Sequence, residues 1–142
     1  MGKGIREVMT SNPRTIESGT PVAEAAKLMR DEDVGLAPVV EGDRLVGTLT
    51  DRDIAIRVVA EGKDPASTPV REVASTDVVT VTPEQDLDEA LSLMAQHQVR
   101  RVPVVEQDGR LVGVVAQADV ARRSDEQQTG ELVGHISKES SP

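Results

Sequence analysis

The chain has 142 residues and a formal net charge of −9, and it contains no Phe, Tyr, Trp or Cys. It therefore lacks both an excess of cations to neutralise phosphates and rings to stack on bases, which argues against DNA or RNA as a partner. The absence of cysteine excludes disulfides and a thiolate nucleophile and fits a cytoplasmic protein. Any core must be built from aliphatic side chains.

Membrane association is not expected either. No apolar run approaches the roughly 20 residues that a membrane-spanning helix needs. The first residues, Met1 to Gly4, lead directly into polar sequence rather than into the apolar core of a signal peptide. The expected class is a soluble cytoplasmic globular protein.

A helix is predicted early in each half of the chain. Thr20-Pro21 and Thr82-Pro83 each place a hydroxyl residue before proline, the pattern of an N-cap followed by a first helical residue. Apolar residues then recur with the spacing that puts them on one helix face. They are Val22, Ala25, Ala26 and Met29 in the first helix and Leu87, Ala90, Leu91 and Met94 in the second.

A β-hairpin and a further helix are predicted to follow each of these helices. The first hairpin joins 36–40 to 44–49, and the second joins 102–105 to 111–115 through an Asp-Gly turn. Each first strand contains a proline, so it is expected to lie at a sheet edge or to start late. The helices that follow are expected at 52–60 and 118–123, with a linker at 61–69.

The two halves repeat one another in sequence. Residues 34–40, which end in Pro-Val-Val, return as 99–105, and both segments are followed by a Leu-Val-Gly strand. A unit of about 60 residues is marginal for burying a core alone, so the copies are expected to fold against one another. The predicted fold is α+β, with two pseudo-symmetric repeats packed through their sheets. The expected boundaries are 1–64 for repeat 1, 65–124 for repeat 2, and 125–142 for a short helix at 131–136 with a polar tail.

The order of these elements, the V-x-x-x-P-V-V strand, the Leu-Val-Gly hairpin and the Thr50-Asp51-Arg52-Asp53 segment resemble a pair of cystathionine-β-synthase (CBS) domains, or Bateman module. The resemblance covers residues 5 to about 123. It implies two domains joined through their sheets, with clefts between them that often hold adenine nucleotides. It also implies a homodimer.

The candidate site is the segment that runs from Gly47 to Asp53, where a strand ends and a helix begins. Free N–H groups at a helix N-terminus suit a phosphate, and a carboxylate can accept the two hydroxyls of a ribose. The resemblance assigns Thr50 and Asp53 to the sugar and phosphate. Thr-x-x-Asp is also the pattern of a capping box, in which each side chain satisfies a backbone amide. The sequence leaves both interpretations open.

The resemblance implies further contacts to the purine from apolar residues, for which core packing is the alternative role. The complete expected nucleotide-binding set is Thr15, Ile16, Leu36, Ala37, Pro38, Thr50, Arg52 and Asp53. A second, weaker cleft would use Thr80, Arg101, Val102, Pro103 and Asp119. It is weaker because Ala116 replaces Thr50, and a missing hydrogen bond to a charged group costs on the order of 1.5–3 kcal/mol.

Neither catalysis nor a dedicated metal site is predicted. His97 and His135 are the only histidines, and neither has metal-ligand spacing with another His or Cys. His97 is expected at a helix end, where an imidazolium complements the helix dipole. The acidic run at 31–33 is expected to be a solvated face. No cofactor is required; AMP, ADP or ATP is the expected ligand, with Mg²⁺ only alongside a nucleotide.

The sequence therefore predicts a non-catalytic regulatory or sensor module that binds an adenosine-containing ligand in the cleft between the repeats. It would act as a homodimer and pass its signal to a separate effector protein. The alternative is a ligand-free structural or protein-interaction module whose clefts are vestigial. Ala116 and the lack of aromatic side chains favour that alternative.

Overall fold

The computed structural model describes residues 4–121 of the chain. The helices and strands, in chain order, are β1 (Thr10–Ser11), β2 (Ile16–Glu17), α1 (Val22–Glu32), β3 (Leu36–Glu41), β4 (Arg44–Thr50), α2 (Asp51–Ile54), α3 (Leu87–His97), β5 (Arg101–Val105) and β6 (Leu111–Ala116). Short 3₁₀ turns occupy Ile5–Glu7 and Val70–Glu72, and residues 117–121 are helical. The predicted α+β class is confirmed.

These elements form two compact units. The first unit comprises Arg14–Val78 and Gly109–Leu111, and the second comprises, within the described residues, 4–13, Val79–Asp108 and 112–121. Each unit has its own aliphatic core. Buried core residues of the first unit are Ile16, Val22, Ala25, Met29, Ala37, Val39, Leu49, Val58, Val70 and Val73. Those of the second are Ile5, Val81, Leu87, Ala90, Met94, Val102, Val104, Val115 and Val120.

The sheet of the first unit has the strand order β2-β3-β4. β3 and β4 form the predicted antiparallel hairpin, whose turn contains Gly42 with a φ of 68°. β2 pairs with β3 in parallel, beginning with Ile16 opposite Val39. The expected edge position of β3 is wrong, because β3 is the central strand. Its proline, Pro38, immediately precedes Val39, the first residue of β3 that pairs with β2. Because proline has no N–H to donate, it is tolerated at this position, before the pairing begins.

The sheet of the second unit has the strand order β1-β6-β5. β5 and β6 form the second predicted hairpin, and Val81 pairs in parallel with Val104 on the other side of β5. The Pro103 carbonyl accepts a hydrogen bond from Val81 N at 3.1 Å. Pro103 therefore also lies where the pairing of β5 with Val81 begins. Because proline has no N–H to donate, the sequence predicts such a late start of the pairing.

The first segment of each sequence repeat packs with elements of the other repeat. Residues 4–13 belong to the second unit, and residues 65–78 belong to the first, so each compact unit contains segments of both sequence repeats. Four of the backbone hydrogen bonds that hold these segments in place have lengths of 2.8–3.1 Å. They run from Ile5 N to Gln85 O, from Arg6 N to Pro83 O, from Val70 N to Thr20 O and from Arg71 N to Ser18 O.

The start of α1 differs from the prediction by one residue. The N-cap is Pro21 rather than Thr20, and no side chain caps the helix. Val22 N instead donates to the carbonyl of Thr68 at 2.8 Å. The segment predicted as a linker thus supplies a backbone acceptor to an N–H that a helix start leaves without an intrahelical partner.

The predicted start of α3 at Thr82-Pro83 is wrong. The helix begins at Leu87 with Asp86 as N-cap, and Thr82-Pro83 lie in a turn before it. Thr82 N donates to Gln85 Oε1 at 2.7 Å, which closes this turn. The carbonyls of Pro83 and Gln85 accept hydrogen bonds from the N-terminal segment of the chain. A helix that began at Thr82 would direct these two carbonyls along its own axis. In the folded chain they instead accept hydrogen bonds from another segment, so the helix starts later.

The predicted apolar helix faces are confirmed. Met29 and Met94 are buried at corresponding positions of α1 and α3, while Ala26 and Leu91 are partly buried. His97 is the last residue of α3, as predicted. Complete burial of an aliphatic side chain contributes roughly 1.5–3 kcal/mol, so these faces hold each helix on its sheet.

The helix after the first hairpin is α2, which continues as a π-helical turn over Ala55–Val59. The predicted helix at 52–60 is thus confirmed, and the counterpart predicted at 118–123 is helical over 117–121. The helix predicted at 131–136 and the tail lie outside the described residues. Within residues 4–121, no helix has the length and apolarity to cross a membrane.

Candidate functional site

The start of α2 contains a complete capping box. Asp53 N donates to Thr50 Oγ1 at 3.0 Å, and Thr50 N donates to Asp53 Oδ2 at 3.0 Å. Thr50 has the extended backbone of an N-cap, with φ −117° and ψ 161°. The capping-box interpretation of Thr-x-x-Asp is therefore correct for these two residues, whether or not they also bind a ligand.

The Asp53 carboxylate contacts two further side chains. Ser75 Oγ lies 3.3 Å from Asp53 Oδ1, and Arg57 Nη1 lies 3.9 Å from the same oxygen. Arg57 Nη1 also donates to the carbonyl of Val73 at 2.9 Å. Asp53 is only 7% exposed. A buried carboxylate needs such donors, because an isolated charge is poorly tolerated away from water.

The hairpin register brings the predicted apolar residues to the same end of the sheet as Thr50. Leu36 lies directly opposite Thr50, and Ala37 lies opposite Leu49. Leu36 is half-buried, and Pro38 is buried. β3 thus places the predicted purine wall beside the predicted polar end of the site.

The remaining predicted residues of the first set occupy mixed positions. Ile16 and Ala37 are buried members of the core, so core packing accounts for both. Thr15 and Arg52 are exposed. Arg14, another cation near this region, forms a 3.4 Å ion pair with Glu32. Of the predicted residues, Arg52 is the exposed cation within α2, next to the capping box.

The second predicted set has the same local architecture in the second unit. Gln117 N donates to Arg100 O at 2.7 Å, just as Asp51 N donates to Gly35 O at 3.0 Å in the first unit. Ala116 takes the place of Thr50 at the end of β6. The predicted residues are distributed as buried Val102 and Pro103, half-buried Thr80 and Asp119, and exposed Arg101.

Sequence reasoning missed Ser75 and Arg57. The spacing of Asp53 and Arg57 is i, i+4 on a helix, which was a readable signal for an ion pair. The contact of Ser75 had no such local signal. It exists because the segment 70–78 packs in the first unit, beside β4 and α2.

Two of the open grooves in the described part of the chain lie on the first unit. The larger, of about 370 Å³, lies between the end of α1 and the start of α2, and the smaller, of about 300 Å³, lies along α1. Neither is lined by a residue of the predicted nucleotide-binding set. The larger groove is lined by Ala26, Met29, Arg30, Asp33, Val34, Asp51 and Ile54.

The acidic run at 31–33 lies at the end of α1. Arg30 Nε pairs with Asp31 Oδ1 at 3.0 Å, and all three acidic residues of the run are exposed. Across residues 4–121, no group of three or more His, Cys, Asp or Glu side chains is placed to hold a metal ion.

Comparison with known proteins identifies relatives along most of the chain. The CBS domain family model matches residues 5–60 and 70–126. The CBS domain-containing protein YhcV of Bacillus subtilis is 44% identical over 134 residues, which cover 94% of each chain.

Two solved structures resemble the fold closely. Hypoxic Response Protein I, with two coordinated zinc ions, is 38% identical, with a TM-score of 0.78, covering 85% of this chain and 98% of that chain. The CBS domain pair of protein MJ0100, in complex with 5′-methylthioadenosine and S-adenosyl-L-methionine, is 26% identical, with a TM-score of 0.76, covering 89% and 99%. The duplicated hairpins, the exchanged first segments and these matches agree: the chain belongs to the CBS domain family and contains two CBS domains.

Proposed function

We propose that this chain is a non-catalytic regulatory module that binds an adenosine-containing ligand, such as AMP, ADP or ATP, through the start of α2. The observation that carries the proposal is the β3–β4 register, in which Leu36 lies opposite Thr50. This register sets an apolar side chain for the purine beside a hydroxyl and a carboxylate. The adenosine derivatives bound by the CBS domain pair of MJ0100 support the choice of ligand class.

In this proposal Asp53 holds the ribose. A carboxylate offers about four lone-pair positions, and the hydrogen bonds from Thr50 N and Ser75 Oγ occupy two of them. The remaining positions can accept the two hydroxyls of a ribose. The bond from Thr50 N meanwhile keeps the carboxylate in place, so capping and ligand binding are compatible roles of one side chain.

The charges beside the capping box favour a ligand with few phosphates. Arg52 is exposed there, but Asp51 next to it is an exposed carboxylate. Like charges repel, so the Asp51 carboxylate offsets part of the attraction that Arg52 exerts on each additional phosphate. We therefore place AMP ahead of ATP, and expect ATP to require Mg²⁺ to offset its charge.

The second unit is the weaker candidate. Ala116 cannot cap the helix at 117–121 or donate a hydrogen bond to a phosphate. A missing bond of that kind corresponds to roughly a tenfold loss of affinity or more. The proposal therefore expects one ligand per chain at concentrations that saturate the first unit.

The proposed mechanism has no chemical step. A ligand that prefers one conformation of the module shifts the population by its difference in affinity, typically by 1–3 kcal/mol, which is about 5–150-fold. The module would act as a cytoplasmic homodimer and pass this shift to a separate effector protein. Light scattering that gave a monomer mass would contradict the dimer.

The alternative is a ligand-free structural or protein-interaction module. It is favoured by the completeness of the capping box, because partners within the chain account for Thr50 Oγ1 and for Asp53 Oδ2. Under this alternative the strand–helix junction serves stability alone, and adenosine compounds have no effect on the protein.

Calorimetric unfolding in the presence of ligand separates these functions. A ligand at 100 times its Kd stabilises the protein by about 2.7 kcal/mol, which raises Tm by roughly 5–11 °C at 2–4 °C per kcal/mol. We expect such a rise with AMP or 5′-methylthioadenosine and none with uridine monophosphate as control. If no adenosine compound raises Tm at millimolar concentration, the ligand-binding proposal fails.

A further inference from the structure

We propose that Ser75 is a positioning residue for the ligand site, acting through the carboxylate of Asp53; this inference rests on the proposed function. Ser75 Oγ lies 3.3 Å from Asp53 Oδ1 and 3.5 Å from Oδ2. Ser75 belongs to repeat 2, outside the strand–helix motif that contains Thr50 and Asp53. The sequence motif alone therefore leaves it out of the site.

Asp53 needs a second donor to keep its orientation. Thr50 N holds only Oδ2, at 3.0 Å, and the terminal torsion of an aspartate is intrinsically broad, so this bond alone only partly restrains Oδ1. Arg57 Nη1, at 3.9 Å from Oδ1, is too distant for a hydrogen bond. Among the described residues, the Ser75 hydroxyl, at 3.3 Å, is the hydrogen-bond donor that restrains the carboxylate from the side of Oδ1. A ribose that binds both oxygens depends on the plane of the carboxylate.

The backbone holds Ser75 firmly against β4. Thr48 N donates to Ser75 O at 2.9 Å, and Ser75 N donates to Thr48 O at 2.8 Å. A Cβ atom on Gly47 would lie only 2.7 Å from Ser75 O, so the two backbones approach at a distance that glycine alone permits. Two residues earlier, the Val73 carbonyl accepts from Arg57 Nη1 at 2.9 Å. Ser75 is thus placed in advance of any ligand, as a positioning group requires.

The chain offers a natural conservative variant at this position. Thr10 pairs with Val114 in the second unit as Ser75 pairs with Thr48 in the first. A threonine therefore fits the same backbone pairing while retaining a hydroxyl. Ser75→Thr keeps the hydroxyl and adds a methyl group, whereas Ser75→Ala removes the hydroxyl. Comparing the two variants therefore isolates the contribution of the hydroxyl.

The test is isothermal titration of the full chain with AMP and with 5′-methylthioadenosine. We expect Ser75→Ala to weaken binding roughly three- to tenfold, less than the loss of a direct hydrogen bond to the ligand would, because Ser75 acts only through Asp53. Ser75→Thr should restore affinity to within about twofold of the wild type, since the hydroxyl is kept. Thr76→Ala, which removes an exposed neighbouring hydroxyl, should leave binding unchanged.

A double-mutant cycle tests that Ser75 acts through Asp53. The unfolding midpoints of Ser75→Ala, Asp53→Asn and the double variant should be non-additive, because the two side chains are in contact. Additive midpoints, or a Ser75→Thr variant as weak as Ser75→Ala, would overturn the inference. So would a Ser75→Ala variant that binds like the wild type, and the proposed function would then stand. A wild-type protein that binds neither compound removes the proposed function first and this inference with it.

Discussion

Replacing Thr50 by valine removes the hydroxyl that accepts a hydrogen bond from Asp53 N at 3.0 Å, while the β-branched shape of the side chain is kept. Loss of an N-cap side chain costs about 1 kcal/mol, within a range of 0.5–2 kcal/mol. The Asp53 amide also loses its acceptor in a part-buried position, and an unsatisfied group of that kind costs roughly 1–3 kcal/mol. These two figures overlap, so we expect Thr50→Val to lower the free energy of unfolding by about 2 kcal/mol.

The assay is thermal unfolding followed by far-ultraviolet circular dichroism, because the chain has no aromatic side chain to report by fluorescence. A loss of about 2 kcal/mol lowers Tm by roughly 4–8 °C for a protein of this size. Thr50→Ser keeps the capping hydroxyl and should remain close to the wild type. Thr20→Val is the matched control, because α1 has no side-chain cap and Thr20 is not its N-cap.

The reasoning fails if Thr50→Val is no more destabilising than Thr20→Val. That result would mean that the capping box contributes nothing measurable to the first unit. A Thr50→Ser variant as unstable as Thr50→Val would also contradict it, since the hydroxyl would then not be the stabilising group.

Three further predictions concern stability and use the same unfolding assay. Gly47→Ala should cost roughly 1–3 kcal/mol, because its Cβ would meet the backbone oxygen of Ser75 at 2.7 Å; a neutral effect would contradict the close approach. Val58→Ala should cost about 1.5–3 kcal/mol since Val58 is completely buried, whereas Val59→Ala at a 71% exposed position should stay within about 0.5 kcal/mol. Ala116→Thr should stabilise the second unit by about 1 kcal/mol through a new N-cap, and no gain would indicate that the hydroxyl finds no amide there.

Local patterns in the sequence predict the hairpins and the apolar helix faces correctly. Both depend on neighbours a few residues away, as the turn at Gly42 and the burial of Met29 illustrate. Helix starts depend on more distant partners. The α1 start uses the carbonyl of Thr68 in place of a side-chain cap, and the carbonyls of Pro83 and Gln85, in the turn before α3, accept hydrogen bonds from N–H groups of the N-terminal segment. No local pattern reports such pairings.

The candidate site divides in the same way. The motif at 50–53 predicts the capping box and the hairpin predicts that Leu36 lies near it, because both follow from the residue order within one repeat. The contact between Ser75 and Asp53 requires the first segment of repeat 2 to pack beside β4. That exchange joins residues far apart in the chain, so it becomes visible only in the folded structure.

Isothermal titration of the wild type and of Asp53→Asn tests the ligand-binding claim most directly. Asparagine keeps one carbonyl oxygen that can accept from Thr50 N, so the cap is retained, but it cannot bind a ribose diol with two acceptor oxygens. We predict sub-millimolar binding of AMP or 5′-methylthioadenosine to the wild type at one site per chain, and binding at least roughly tenfold weaker, about 1.4 kcal/mol, for Asp53→Asn. Absence of binding to the wild type, or equal binding by the two proteins, would contradict a ligand site at the start of α2.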